Sequence, residues 1–205
     1  MLRVEHLRIG ERAPLSFEVG DGECLAVEGP SGAGKTRLLR VIADLDFAPG
    51  QVFLDGAERN EMTAIAWRRQ VRYCAAEPAW WTETPRGAFP HDIDPVRLNR
   101  LINSLSLESA ALDRPVALLS TGERQRLALV RALIDDPTVL LLDEPTAALD
   151  GQTAALVEEL IKYHVLSGRS VVLVSHDHSQ IERIAHARLL LPRAVRSSAA
   201  GELAA

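Results

Sequence analysis

Apolar and polar positions along the chain change period several times, and each change marks an element. Leu15–Val19 alternates like a half-buried strand and ends in a Gly20-Asp21-Gly22 turn. Cys24-Leu25-Ala26-Val27 is a short unbroken apolar run, the pattern of a strand covered on both faces, and it leads straight into a glycine-rich loop. From Lys35 to Leu45, Leu38, Leu39, Ile42 and Leu45 recur at helical spacing. Val52-Phe53-Leu54 followed by Asp55-Gly56 reads as a strand and its turn. Further on, the pattern predicts helices over about 122–134, 152–166 and 179–187. They alternate with buried strands starting at Val139 and spanning Ser170–Val174, with Arg188–Leu191 last. This alternation predicts an α/β domain.

The middle breaks the rhythm. From about Glu77 to Arg114, Pro85, Pro90 and Pro95 follow Pro78, and a single helical pattern covers Val96–Leu107. A small, partly helical insertion fits better there than a strand. After Pro192 the chain turns rich in Ala and Ser, which predicts a frayed tail. The division expected is one domain over 1–192, with a core of 1–76 and 123–192, a small helical sub-domain over about 77–122, and a disordered tail over 193–205.

Composition narrows the function. A chain of 205 residues buries about 70% of its unfolded surface and needs no covalent or metal staple. A net charge of −5 argues against general nucleic-acid binding, which depends on clustered cations. Cys24 and Cys74 lack metal or redox spacing and read as reduced thiols of a cytosolic protein. Met1-Leu2-Arg3-Val4-Glu5-His6 does not resemble a signal peptide. No apolar run approaches the ~18 residues of a membrane span, so action at a membrane is expected only by docking.

Two motifs carry chemistry. Gly29-Pro30-Ser31-Gly32-Ala33-Gly34-Lys35-Thr36 matches GxxxxGK[ST] between a predicted strand and a predicted helix. Glycines let backbone N–H groups wrap a phosphate chain at the positive end of the new helix. Lys35 is placed to reach the β- and γ-phosphates, and the Thr36 hydroxyl to ligate Mg²⁺. The second motif, Val139-Leu140-Leu141-Leu142-Asp143-Glu144, is an apolar strand ending in two acids. Carboxyl ends of parallel strands converge at ligand sites, so both acids are expected to face the loop. Asp143 suits a Mg²⁺ shell, and Glu144 suits polarising an attacking water. The plain alternatives are a flexible turn opening a helix and an acidic cap on a buried strand.

Leu119-Ser120-Thr121-Gly122-Glu123-Arg124-Gln125-Arg126 is by itself an ordinary helix start with an acid in its first turn. Beside the two preceding motifs it resembles the LSGGQ signature of ATP-binding cassette (ABC) proteins. Ala148-Leu149-Asp150 is similar to the D-loop of that family, and Val174-Ser175-His176-Asp177 to its switch-histidine segment. The resemblance covers about residues 2–191. It implies a P-loop NTPase fold of the ABC type with ATP and Mg²⁺ as cofactors, and two copies facing head to tail on ATP binding. Ser120, Thr121, Gly122 and Glu123 would then form the signature acting in trans, with Ser120 and Gly122 on the partner's γ-phosphate. His176 would hold that phosphate, Glu144 and the water in line. Hydrolysis would drive a transmembrane permease, placing the chain in the cytoplasm on the inner face of the cell membrane.

The chain departs from the family in places. Tyr73-Cys74-Ala75-Ala76-Glu77-Pro78 puts Ala76 where the family carries a glutamine, with Glu77 one residue along as a substitute in a changed direction. Leu7-Arg8-Ile9-Gly10-Glu11-Arg12 has no aromatic to stack on adenine, leaving Ile9 or Arg12. Trp67, Trp80 and Trp81 read either as core packing or, for the pair, as an anchor for the permease. His176-x-His178 and His186 lack the further ligands of a zinc site, so His178 and His186 read as solvated. Asp92 and Asp94 read as a loop entering the helix after Pro95. The short chain, Val71-Arg72-Tyr73-Cys74-Ala75 and Phe89-Pro90 resemble the ATP-binding subunit of a bacterial iron exporter. The alternatives are a soluble non-transport ABC ATPase and a slow-turnover, ATP-binding regulatory module.

Overall fold

A computed structural model describes residues 1–192, so the tail expected over 193–205 lies outside the described residues. Strand β1 (Leu2–Leu7) turns Leu2, Val4 and Leu7 inward and pairs antiparallel with β2 (Leu15–Val19) and β4 (Gln51–Leu54). Between them in sequence lie β3 (Cys24–Glu28) and helix α1 (Lys35–Ile42). A hairpin adds β5 (Ala57–Glu58) to β4. Its turn residues Asp55 and Gly56 have φ of 51° and 86°, the backbone that matches strand twist in tight hairpins. The resulting sheet has the order β2-β1-β4-β5.

The second sheet is parallel. Helix α2 (Ala64–Gln70) leads into β6 (Val71–Cys74); then come α3 (Pro95–Ser104), α4 (Thr121–Leu133), β7 (Val139–Asp143), α5 (Gly151–Leu166), β8 (Ser170–Val174), α6 (His178–Ile184) and β9 (Ala187–Leu190). The strand order is β6-β7-β8-β3-β9. β7 and β8 are buried at every residue, as a parallel sheet covered on both faces requires. Alternate residues serve two cores: Leu140, Leu142, Val171 and Leu173 pack with α4 and α5, while Val139, Leu141, Val172 and Val174 pack with α1 and the antiparallel sheet. Each such side chain contributes about 1.5–3 kcal/mol of hydrophobic burial at most.

Register brings the strand ends together. Val27 lies opposite Val174, and Val174 opposite Asp143. The loop after β3, the acids at the end of β7 and the histidine after β8 therefore emerge side by side.

Two helices stop earlier than their apolar spacing predicts. α1 ends at Ile42, because Asp44 turns left-handed (φ 58°) and the Leu45 N–H returns to the Arg40 carbonyl. α3 ends at Ser104, and Ser106 (φ 49°) reverses the chain, yet Leu105 and Leu107 both stay buried. Apolar contact thus outlasts the helix. Between β6 and α4 the chain holds α3 and three short 3₁₀ turns, and its Leu98, Leu101, Ile102 and Leu112 share the core of α4 and α5.

Candidate functional site: a phosphate loop facing two acids

The loop between β3 and α1 is shaped by glycine. Gly29, Gly32 and Gly34 have φ of 150°, 75° and 82°. A Cβ on Gly29 would strike the Leu191 carbonyl, and one on Gly34 would lie 2.7 Å from Arg12 Nη1. Ser31 and Thr36 are exposed, Ala33 is packed beneath, and the Pro30 carbonyl accepts from the Ala33 N–H at 3.0 Å. Lys35 is buried, its Nζ donating to the Gly29 carbonyl at 2.7 Å and the Pro30 carbonyl at 3.3 Å. It lies folded back onto the loop's own carbonyls.

A cleft of about 520 Å³ unites Ser31–Thr36 with Asp143, Glu144, His176 and Ala76. Asp143 is buried and accepts from the Tyr73 phenol at 3.1 Å. Burial, followed by the neighbouring Asp143 charge, pushes the Tyr73 phenol up, so it remains a donor. Glu144 has a left-handed backbone (φ 50°), held by its N–H to the Val174 carbonyl at 2.9 Å and by Gln125 Nε2 donating to its carbonyl at 2.8 Å. Its Oε2 accepts from the His176 N–H at 3.2 Å. Its Oε1 is buried without a hydrogen bond, 3.3 Å from His176 Nε2. A carboxylate that lines the cleft beside an imidazole is suited to receive the proton of a water. Thr36 and Asp143 add hard oxygen donors. No cluster of three His, Cys, Asp or Glu side chains among the described residues could hold a metal by itself. That sparse set fits Mg²⁺, which takes few protein oxygens and completes its shell with water and phosphate.

The structure does not bring the signature into this cleft. Ser120 caps α4: its Oγ accepts from the Glu123 N–H at 3.1 Å, and Glu123 Oε2 accepts from the Ser120 N–H at 2.8 Å. The hydroxyl proton of Ser120 stays free to donate. Thr121 opens the helix, and Gly122 packs against Leu149, where a Cβ would lie 3.2 Å from that side chain. Asp150 caps α5 through the Thr153 N–H and hydroxyl, both at 2.9 Å. None of these residues lines the cleft.

Several expectations change in detail. Ile9 is buried and offers no face to a base, whereas Arg12 lies over the loop with Nη2 donating to the Gly32 carbonyl at 3.3 Å. Ala76 lines the phosphate cleft, but Glu77 lines a different groove and so does not replace the missing glutamine there. His186 does more than meet solvent: its Nδ1 accepts from the Cys24 N–H at 3.1 Å. His178 is exposed, with Nδ1 3.5 Å from Glu28. Asp94 caps α3. The tryptophans divide, Trp67 being core with its indole N–H on the Ile42 carbonyl, while Arg131 stacks on both Trp80 and the exposed Trp81.

Sequence reasoning missed Tyr73 and Gln125 as site residues. Gln125 had a signal: Gln125, Ala128, Leu129 and Ala132 form the buried stripe of α4, and a polar residue in such a stripe needs a partner.

A family model described as ABC transporter matches residues 13–147. The chain belongs to this family. It has the P-loop NTPase fold of ATP-binding cassettes. The chain is 34% identical over 190 residues to the probable iron export ATP-binding protein FetA of Escherichia coli, covering 88% of this chain and 84% of FetA. It is 36% identical over 186 residues to Protein STAR1 of Oryza sativa, covering 86% of this chain and 54% of STAR1. It is 37% identical over 204 residues to the molybdenum import ATP-binding protein ModC of Rhodobacter capsulatus, covering 93% of this chain and 55% of ModC. The chain thus spans about half the length of STAR1 and ModC. The dimeric cassette MJ0796 bound to ADP and Pi shares its fold with a TM-score of 0.79, 23% identity and coverage of 93% and 94% of the two chains. A bacterial Atm1-family exporter with ATP bound matches with a TM-score of 0.83, 23% identity and coverage of 95% and 38%. No helix among the described residues is long and apolar enough to cross a membrane.

Proposed function

We propose that this chain binds and hydrolyses ATP as the cytoplasmic, peripheral subunit of a transporter, dimerising head to tail and driving a separate membrane permease. The observation that carries the reading is the single cleft joining Lys35, Thr36, Asp143, Glu144 and His176. Bound Mg-ATP supplies the phosphoanhydride to be broken and a cation that screens its charge. The loop's N–H groups and Lys35 orient the β- and γ-phosphates, while Thr36 and Asp143 hold the cation. Glu144, lining the cleft, accepts the water's proton, and His176 keeps carboxylate and phosphate aligned. Ser120 and Gly122, which lie outside their own chain's cleft, act on the nucleotide of a second copy.

The groove beside Trp81 is the permease dock. It measures about 660 Å³ and runs from Ala75 and Glu77 to Phe89 and Arg131, adjoining Ala76 of the phosphate cleft. The sub-domain over about 77–122 supplies one wall. For the cargo we propose iron export, supported by the identity with FetA across most of that protein's length.

The test is phosphate release by the purified protein beside Glu144→Gln, with size-exclusion chromatography in Mg-ATP. Turnover in the wild type, lost in the variant together with accumulation of an ATP-bound dimer, is the expected result. Tight ATP binding without turnover in either protein, with or without a permease, overturns the reading. Ala76 in the cleft favours one alternative, the slow-turnover regulatory module, and that outcome would support it.

A further inference from the structure

A second concave site lies on the face between α3 and α5, lined also by the end of α4 and away from the phosphate loop. It measures about 440 Å³, within the range of small-molecule pockets. Leu101 and Leu133 form a buried floor, and the half-buried Leu156 and Leu160 form one side. Three guanidiniums surround it, from Arg97, Arg100 and Arg169.

Their charges are not balanced. Asp136 takes both Arg97 (Nη2 to Oδ1, 3.3 Å) and Arg169 (Nη2 to Oδ2, 2.6 Å). Arg100 has no carboxylate partner among the described residues, and Glu159, the other acid of the wall, is engaged by Lys162 at 2.9 Å. The Arg97 Nε is buried without an acceptor, and so is Nε2 of His164, a residue 4% exposed. Both atoms lie beneath the pocket surface, so the cation it offers a ligand is Arg100. The exposed ring of Tyr163 stands at its edge.

We infer that this pocket binds a small amphipathic carboxylate, its apolar body on Leu101, Leu133, Leu156 and Leu160 and its charge at Arg100. An apolar floor and an uncompensated cation at the rim together select that class. An uncharged apolar molecule leaves the guanidinium without a partner, and a small anion leaves the leucines wet. Losing the carboxylate removes the ion pair at Arg100 and is expected to weaken binding by about tenfold.

The test is isothermal titration of the full chain with decanoate, decan-1-ol and acetate. Decanoate is expected to bind saturably, one per chain, with the other two at least about tenfold weaker. Arg100→Glu reverses the rim charge, and Ser104→Trp fills the groove from an exposed position. Each is expected to abolish decanoate binding while melting temperature and ATP affinity hold. Absence of saturable decanoate binding below about 1 mM overturns the proposal. So does binding that decanol matches, or binding that survives either substitution.

Discussion

Arg12 stands where the sequence offers no aromatic, and the structure leaves it alone in that position because Ile9 is buried. Its guanidinium lies against Gly32 and Gly34, with its Nε buried and no acid partner among the described residues. A guanidinium reads a polyphosphate as charge and a purine as a π-face, and neither contact separates adenine from guanine. ATP and GTP are therefore expected to bind with dissociation constants within about threefold of each other. Arg12→Ala is expected to weaken both by about fivefold, the loss of roughly 1 kcal/mol, with their ratio unchanged. Fluorescent-nucleotide competition measures this. A selective loss of ATP would show that Arg12 recognises the base.

Between elements, one contact ties the signature helix to the acid at the end of β7. Gln125 of α4 donates to the Glu144 carbonyl, while Ser120 caps the start of the same helix. Glu144 takes a left-handed backbone, which costs an L residue roughly 1–2 kcal/mol, and this bond helps hold it there. Gln125→Leu keeps volume and burial but removes the donor. We expect turnover to fall about tenfold with ATP affinity unchanged, and stability to drop by about 1–3 kcal/mol from the unpaired carbonyl. Steady-state phosphate release beside nucleotide binding checks it; equal loss of both would indicate a general structural role. The groove proposed as the permease dock carries a complementary prediction. Trp81→Ala removes an exposed indole stacked on Arg131, and is expected to leave basal turnover intact while abolishing stimulation by a reconstituted permease. Much of this arrangement was legible in sequence, because the phosphate loop, the two acids and the buried strands are set by local spacing. The partners were not. Tyr73 and Gln125 reach Asp143 and Glu144 only through tertiary packing, and β5, of two residues, is too short to show a period. The ends of α1 and α3 were not legible because apolar residues continue at helical spacing past Ile42 and Ser104; Leu105 and Leu107 stay buried, whereas Leu45 is exposed.

Across the whole molecule, the parallel sheet has a chemical end at Asp143, while His164 lies buried near the end of α5. Burial foremost, with Arg169 and Arg97 nearby, pushes the His164 imidazole down to about 4; Asp136 and the Pro137 carbonyl oppose that shift only in part. The sign follows from proton counting. Between the ordinary value of 6.5 and about 4, the unfolded chain binds a proton at this histidine and the folded chain does not. Acid therefore favours unfolding across that window, by an amount on the order of 3 kcal/mol once pH has fallen through it. Above pH 6.5 the contribution is fully present, and below about 4 its loss is complete. Loss of stability at still lower pH belongs to carboxylates held low, such as Glu123, kept ionised by the Ser120 N–H and by Arg114. Urea unfolding at pH 7, 5.5 and 4 is expected to show midpoints falling steeply in the wild type. His164→Leu removes the titrating group at similar volume, so its midpoint is expected to change far less over the same interval. An unchanged slope in that variant would place the acid sensitivity elsewhere in the fold.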